Sequence, residues 1–144
     1  MVSRRLVMDA SVALSWAFED EADALSGRVL DALVDGVAVV PAVWPLKVSN
    51  ALVTAQRRGR ITPAETARFL SLICRLPVQV EAIELGSMGS LVDAAREYNL
   101  SAYDANDLLL AMSLGVPLAT RDAALQKAAT AAGVELFSGG TALR

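Results

Sequence analysis

The chain contains no histidine, and that absence removes whole classes of chemistry. Serine and cysteine triads need an imidazole base, and most zinc sites need imidazole ligands, so any catalysis here must be carried by carboxylates. A single cysteine, Cys74, permits no intrachain disulfide. With no base beside it, it reads as a buried core residue rather than a nucleophile. Aromatic residues make up only 5% of the sequence, which leaves little for base stacking. Trp44 and Tyr103 both sit among apolar neighbours at helix starts and read as core. Apolar runs are short. The stretch 37–46 ends at Lys47, well below the roughly 18 residues a membrane span needs, and the basic start of the chain is followed by too short an apolar run for a signal peptide. These features lead us to expect a cytoplasmic protein without a membrane segment.

Positive charge is also scarce. Thirteen Lys and Arg stand against 16 Asp and Glu, a net charge of -3. Phosphate affinity normally comes from lysine and arginine, so this balance argues against nucleic-acid binding unless bound divalent ions supply the missing charge. What the chain does have is a 54% hydrophobic composition over 144 residues, ample for one buried core. We read 1–144 as a single domain.

Short apolar runs at 6–9, 37–40, 78–83, 117–120 and 134–137 read as strands. Segments with three-to-four spacing at 11–18, 22–34, 44–58, 63–76, 87–98, 102–114 and 123–132 read as helices. Gly59 suits a helix C-cap, and Thr62 followed by Pro63 suits a helix start. Alternating strands and helices predict an α/β fold, with a mostly parallel central sheet of about five strands flanked by helices on both faces. The helices over 44–58 and 63–76 carry more apolar surface than one packing face requires, which favours a homodimer.

Three aspartates fall at strand-to-helix transitions. Asp9 closes the first run, Asp104 opens the helix over 102–114, and Asp122 follows Thr120 and Arg121 after the run at 117–120. Each has a plain structural reading as a helix cap or first-turn acid. Together they face one crevice, because the carboxyl ends of parallel strands lie on the same edge of the sheet. Converging carboxylates repel one another unless a divalent cation joins them, and all-oxygen ligands suit Mg2+ or Mn2+.

The segments VMDASV at 7–12, PAVWPLKVSNAL at 41–52, LSAYDA at 100–105 and PLATRD at 117–122 resemble, in order and spacing, the sequence blocks of PIN-domain ribonucleases, particularly the VapC-type toxins of bacterial toxin-antitoxin pairs. The resemblance implies a metal-dependent endoribonuclease, usually a homodimer, held inactive by a cognate antitoxin through which it also reaches operator DNA. It implies that Asp9 and Asp104 are principal metal ligands, that Asp122 assists, and that Ser11, Asn50 and Thr120 are polar neighbours of the site. Arg121 is a candidate phosphate contact, with a surface helix-start residue as the alternative.

One position departs from that pattern. Where the family has glutamate before VSNAL, this chain has Lys47. A lysine there can pair with Asp9 or Asp104, but a protonated amine has no lone pair for a metal. Metal binding should be weakened, and two functional readings follow. One is an impaired RNA-hydrolysing toxin; the other is a catalytically silent PIN fold that binds an antitoxin or RNA. Asp107, one turn after Asp104, is a possible compensating acid. A phospho-accepting receiver domain is disfavoured, because only one acid follows the first strand.

Overall fold

The computed structural model of the protein describes residues 4–138. Its sheet is built from β1 (Arg4–Met8), β2 (Gly36–Pro41), β3 (Val78–Glu81) and β4 (Leu118–Ala119), all parallel, in the order β3-β2-β1-β4. The helices are α1 (Ala10–Ala17), α2 (Ala24–Ala32), α3 (Trp44–Arg57), α4 (Pro63–Arg75), α5 (Met88–Tyr98), α6 (Ala102–Leu114) and α7 (Ala123–Ala131). No helix among the described residues is long and apolar enough to cross a membrane.

A strand buried on both faces must be apolar at every position, and side chains alternate between the faces. β1 follows that rule over its buried residues Leu6 to Met8, after the exposed Arg4 and Arg5. Leu6 and Met8 join one core cluster with Ala38, Val40, Val29, Trp44, Val48, Leu52 and Phe69, which places α1 to α4 on that face. Val7 points the other way, into a second cluster with Leu118, Leu108, Ala111, Leu125 and Ala129, which places α6 and α7 opposite. α5 packs against α6. Where β2 starts, a Cβ on Gly36 would lie 2.8 Å from the Ala32 carbonyl and 2.9 Å from that of Arg4, so the close approach of helix and strand requires glycine.

Helix boundaries follow local chemistry. Thr62 and Glu65 form a reciprocal capping box with Pro63 at the first helical position of α4. α2 begins two residues later than the apolar spacing predicts, because a 3-10 turn (Glu19–Glu21) precedes it and Asp23 caps it in a second box with Ser26. Asp23 also accepts a hydrogen bond from Arg121, and with the Ser26 backbone bond foremost, its carboxyl is held below the usual range. A carboxylate with a lowered folded pKa stabilises above its unfolded value, a contribution lost as pH falls through the folded value. Asp23→Ala should therefore cost about 1 kcal/mol in urea titrations at neutral pH and progressively less on acidification.

Among the described residues four strands form, not about five. The segment predicted at 134–137 contributes a single parallel bridge, Leu136 to Leu118. The helix before it sets this limit: Gly133 is left-handed at φ 78°, and the Val134 N–H donates to the Ala129 carbonyl as part of the α7 terminus. Cys74 is exposed rather than core, because α4 turns Thr66 and Phe69 inward with Ile73 packed beside them, and Cys74 lies off that stripe. Tyr103 is likewise exposed, whereas Trp44 is buried.

Candidate metal centre

The strand order reverses beside β1: the chain builds outward through β2 and β3, then crosses to place β4 on the other side of β1. In open parallel sheets, ligands bind beyond the carboxyl ends of the strands at such a switch point. Asp9 follows β1 there, and Thr120 to Asp122 follow β4.

Asp9 is both helix cap and site residue. As N-cap of α1, its Oδ1 accepts the Ser11 N–H at 3.0 Å and the Ser11 hydroxyl, while its Oδ2 accepts the Thr120 hydroxyl at 2.6 Å. Ser11 Oγ in turn accepts the Arg121 N–H at 3.1 Å, and Thr120 Oγ1 accepts the Asp122 N–H at 3.0 Å. The two hydroxyls thus tie the β1 and β4 loops together and fix the carboxylate. Thr120→Val keeps the shape but strips partners from the buried Asp9 Oδ2 and from the Asp122 N–H. It should cost about 1–3 kcal/mol, read as a lower urea midpoint.

Asp104 lies in the first turn of α6, its backbone N–H capped by Ser101 Oγ at 3.1 Å. Its carboxylate faces Lys47, whose Nζ is 3.8 Å from Asp104 Oδ1. Asp107 sits one turn deeper on the same helix face. It is 2% exposed, and its Oδ1 has no hydrogen-bond partner. One carboxylate oxygen from each of Asp9, Asp104 and Asp107 lies within 4.8 Å of the others.

These surroundings set the protonation. Burial raises the Asp9 pKa first of all, and Asp104 adds to that; the Ser11 and Thr120 hydrogen bonds and the Lys47 charge pull it back. Burial, followed by the charge of Asp9, drives Asp107 well above the ordinary carboxylate range, with Asp104 adding and Lys47 opposing.

Asp122 stands at the N-cap position of α7 without a side-chain cap bond. It lines a cleft of about 430 Å3 with Asp9, Ser11, Lys47, Asn50 and Asp104, but lies outside the group of three converging acids. Arg121 is occupied elsewhere: its guanidinium bonds Asp23 at 2.9 Å and Glu21 at 3.3 Å. Sequence reasoning missed those two partners, which come from the turn and cap ahead of α2, far away along the chain.

The donor set suits a hard cation. Three carboxylate oxygens within 4.8 Å of one another form an all-oxygen set that a divalent ion would draw closer together. The unpartnered Asp107 oxygen is the acceptor such an ion would satisfy.

No family model matches this chain, and no curated protein matches it. Its fold is similar to the crystal structure of PAE2754 from Pyrobaculum aerophilum, with a TM-score of 0.67 and 22% identity over 87% of this chain and 79% of that one. It is also similar to a toxin-antitoxin complex from Klebsiella pneumoniae, with a TM-score of 0.56 and 17% identity over 81% of this chain and 86% of that one. At these identities the likeness is one of fold.

Proposed function

We propose that this chain is a PIN-type, VapC-like toxin of a toxin-antitoxin pair: a metal-dependent endoribonuclease whose metal affinity is depressed by Lys47. The observation that carries this reading is the convergence of buried and half-buried carboxylates at the switch point of a parallel sheet. The sequence blocks and the fold's likeness to a protein in a toxin-antitoxin complex support it.

Asp9 and Asp104 would hold Mg2+ or Mn2+, with Asp122 assisting from the cleft wall. A bound divalent ion supplies the acidity that activates water and the charge that stabilises a phosphodiester under attack. The protein's own part is positional. Ser11 and Thr120 hold the Asp9 carboxylate in one rotamer, and Asn50 and Ser11 offer polar contacts to the substrate in the open cleft. The cleft admits splayed nucleotides of single-stranded or looped RNA more readily than a duplex. Arg121 can reach a phosphate only by giving up its ion pairs with Glu21 and Asp23.

The partner is a cognate antitoxin, with operator DNA reached only through it, and an arginine-bearing segment fits the acidic cleft. The exposed apolar side chains of Leu46, Val53 and Leu70 on α3 and α4 support a homodimer. We place the protein in the cytoplasm.

A second reading, a silent PIN fold that acts by binding, is favoured by one observation: the Lys47 ammonium already neutralises Asp104. Incubating the purified chain, Lys47→Glu and Asp104→Ala with total RNA and Mn2+ separates the two. Cleavage by the parent or the glutamate variant above the Asp104→Ala blank supports the nuclease; cleavage by neither hands the reading to the binding protein.

A further inference from the structure

Asp107 is one of the converging acids but is given no ligand role in the reading above. A carboxylate 2% exposed and with an unpartnered oxygen is an expensive thing to keep in a fold, because every buried polar group left unpaired loses its hydration without return. Its surroundings make the cost greater: carboxylate oxygens of Asp9 and Asp104 lie within 4.8 Å, and like charges at that range oppose one another. Helical spacing explains the alignment, since residues three apart on α6 share a face and Asp104 and Asp107 both turn toward Asp9. Across the cleft stands Lys47, with Nζ 3.8 Å from Asp104 and its charge felt at Asp9 and Asp107.

We infer that Asp107 has taken over the ligand position that a lysine at 47 cannot fill, so that the divalent cation is held by Asp9, Asp104 and Asp107, with Lys47 as its built-in competitor. The inference rests on the proposed metal dependence, and it places the ion deeper than a site using Asp122 would. Two states of one site follow. Without metal, the Lys47 ammonium pairs with Asp104 from the cleft side and offsets part of the cluster's charge. With metal, the three carboxylates would hold the ion and Lys47, a third exposed on a flexible stem, would turn out to solvent. Lys47 would then act as a threshold on metal occupancy rather than as a simple loss.

Direct Mn2+ binding to the intact chain tests this without reference to RNA cleavage. Free Mn2+ is followed by electron paramagnetic resonance for the parent, Asp107→Asn, Asp122→Asn and Lys47→Met. Asp107→Asn should weaken binding by roughly 10–100-fold, at least the loss seen when an outer-shell group is removed. Asp122→Asn should change it by less than about threefold, and Lys47→Met should tighten it by about tenfold. Asp107→Asn is isosteric and cannot ionise; Asp107→Ser, smaller and neutral, repeats the test should the asparagine variant misfold. The inference is overturned if Asp107→Asn binds Mn2+ as the parent does, if Asp122→Asn is the variant that loses it, if Lys47→Met leaves affinity unchanged, or if no variant binds. Mn2+ binding through Asp107 without RNA cleavage sinks the nuclease reading and leaves this one standing; cleavage with Asp107 indifferent does the reverse.

Discussion

Lys47→Glu should raise Mn2+-dependent RNA cleavage by about 100-fold or more at sub-saturating metal, since it exchanges a repelling group for a ligand rather than altering an outer-shell contact. The substitution changes the charge facing Asp104 by two units at a separation of 3.8 Å. Two unit charges about 4 Å apart interact by about 1 kcal/mol in water and more in a partly desolvated cleft. Lys47 is a third exposed, which keeps the effect near the lower end. The remainder comes from coordination, because a carboxylate offers lone pairs and an ammonium offers none. Lys47→Met separates the two contributions: it removes the positive charge without adding an acceptor, so initial rates should rank glutamate, methionine, lysine. The gap should narrow as Mn2+ is raised, since a deficit in metal affinity is overcome by mass action. A gap that persists at saturating Mn2+ would place the lysine's effect on the chemical step instead. Rates of all three at the level of Asp104→Ala would remove the support for a nuclease.

Much of this architecture is written in local pattern. The alternation of Leu6, Val7 and Met8 between two core clusters follows from a strand's period, and the starts of α4 and α6 follow from Thr62, Pro63 and Ser101. The position of Asp9 and Asp122 beyond strand ends follows from the same pattern. Depth does not. Spacing puts Asp107 on the face of Asp104, but only the packing of α6 against the sheet buries it behind the cleft, and a first-turn acid on an exposed helix would look identical in sequence. Long-range pairing is equally hidden. Arg121 reads as a phosphate contact until the chain brings Glu21 and Asp23 to it, and these lie in a turn and a helix cap that carry no apolar periodicity to announce them. Cys74 and Tyr103 mislead for a related reason: residue type gives average burial, whereas the angle around the helix decides the individual case.

In metal-free protein, with chelator present, Asp107→Asn should make the chain more stable at neutral pH. The side chain keeps its shape and loses an acid whose ionised form is opposed by burial and by the neighbouring Asp9 and Asp104. Leaving a buried group unsatisfied costs about 1–3 kcal/mol, and more when it is ionised; relief on that scale corresponds to a rise in Tm of roughly 3–12 °C. The sign with pH is opposite to that of a salt-bridged acid. Burial raises the folded pKa of Asp107 well above the ordinary carboxylate value, so the folded state binds its proton more tightly than the unfolded state does. Below the unfolded value both states are protonated and the aspartate carries no penalty. As pH rises beyond it the unfolded chain releases the proton first, and parent stability falls until the folded pKa is passed. The advantage of asparagine should therefore be small near pH 4, grow through that window and then level off. Asp9, also raised, is coupled to Asp107, so the difference between the two proteins reports the pair rather than Asp107 alone. Mn2+ should narrow or invert the order, because at a metal concentration 100 times its Kd the parent gains about 2.7 kcal/mol, whereas a variant binding roughly 10–100-fold more weakly gains only about 0.4–1.4 kcal/mol. An asparagine variant less stable than the parent across the whole pH range would mean that the carboxylate has a favourable partner and is not the unpaired acid described above. A crossing of the two curves on adding metal would mean that the group destabilising the empty fold is the group that holds the ion, which is the trade expected where binding, rather than folding, fixes a buried acid.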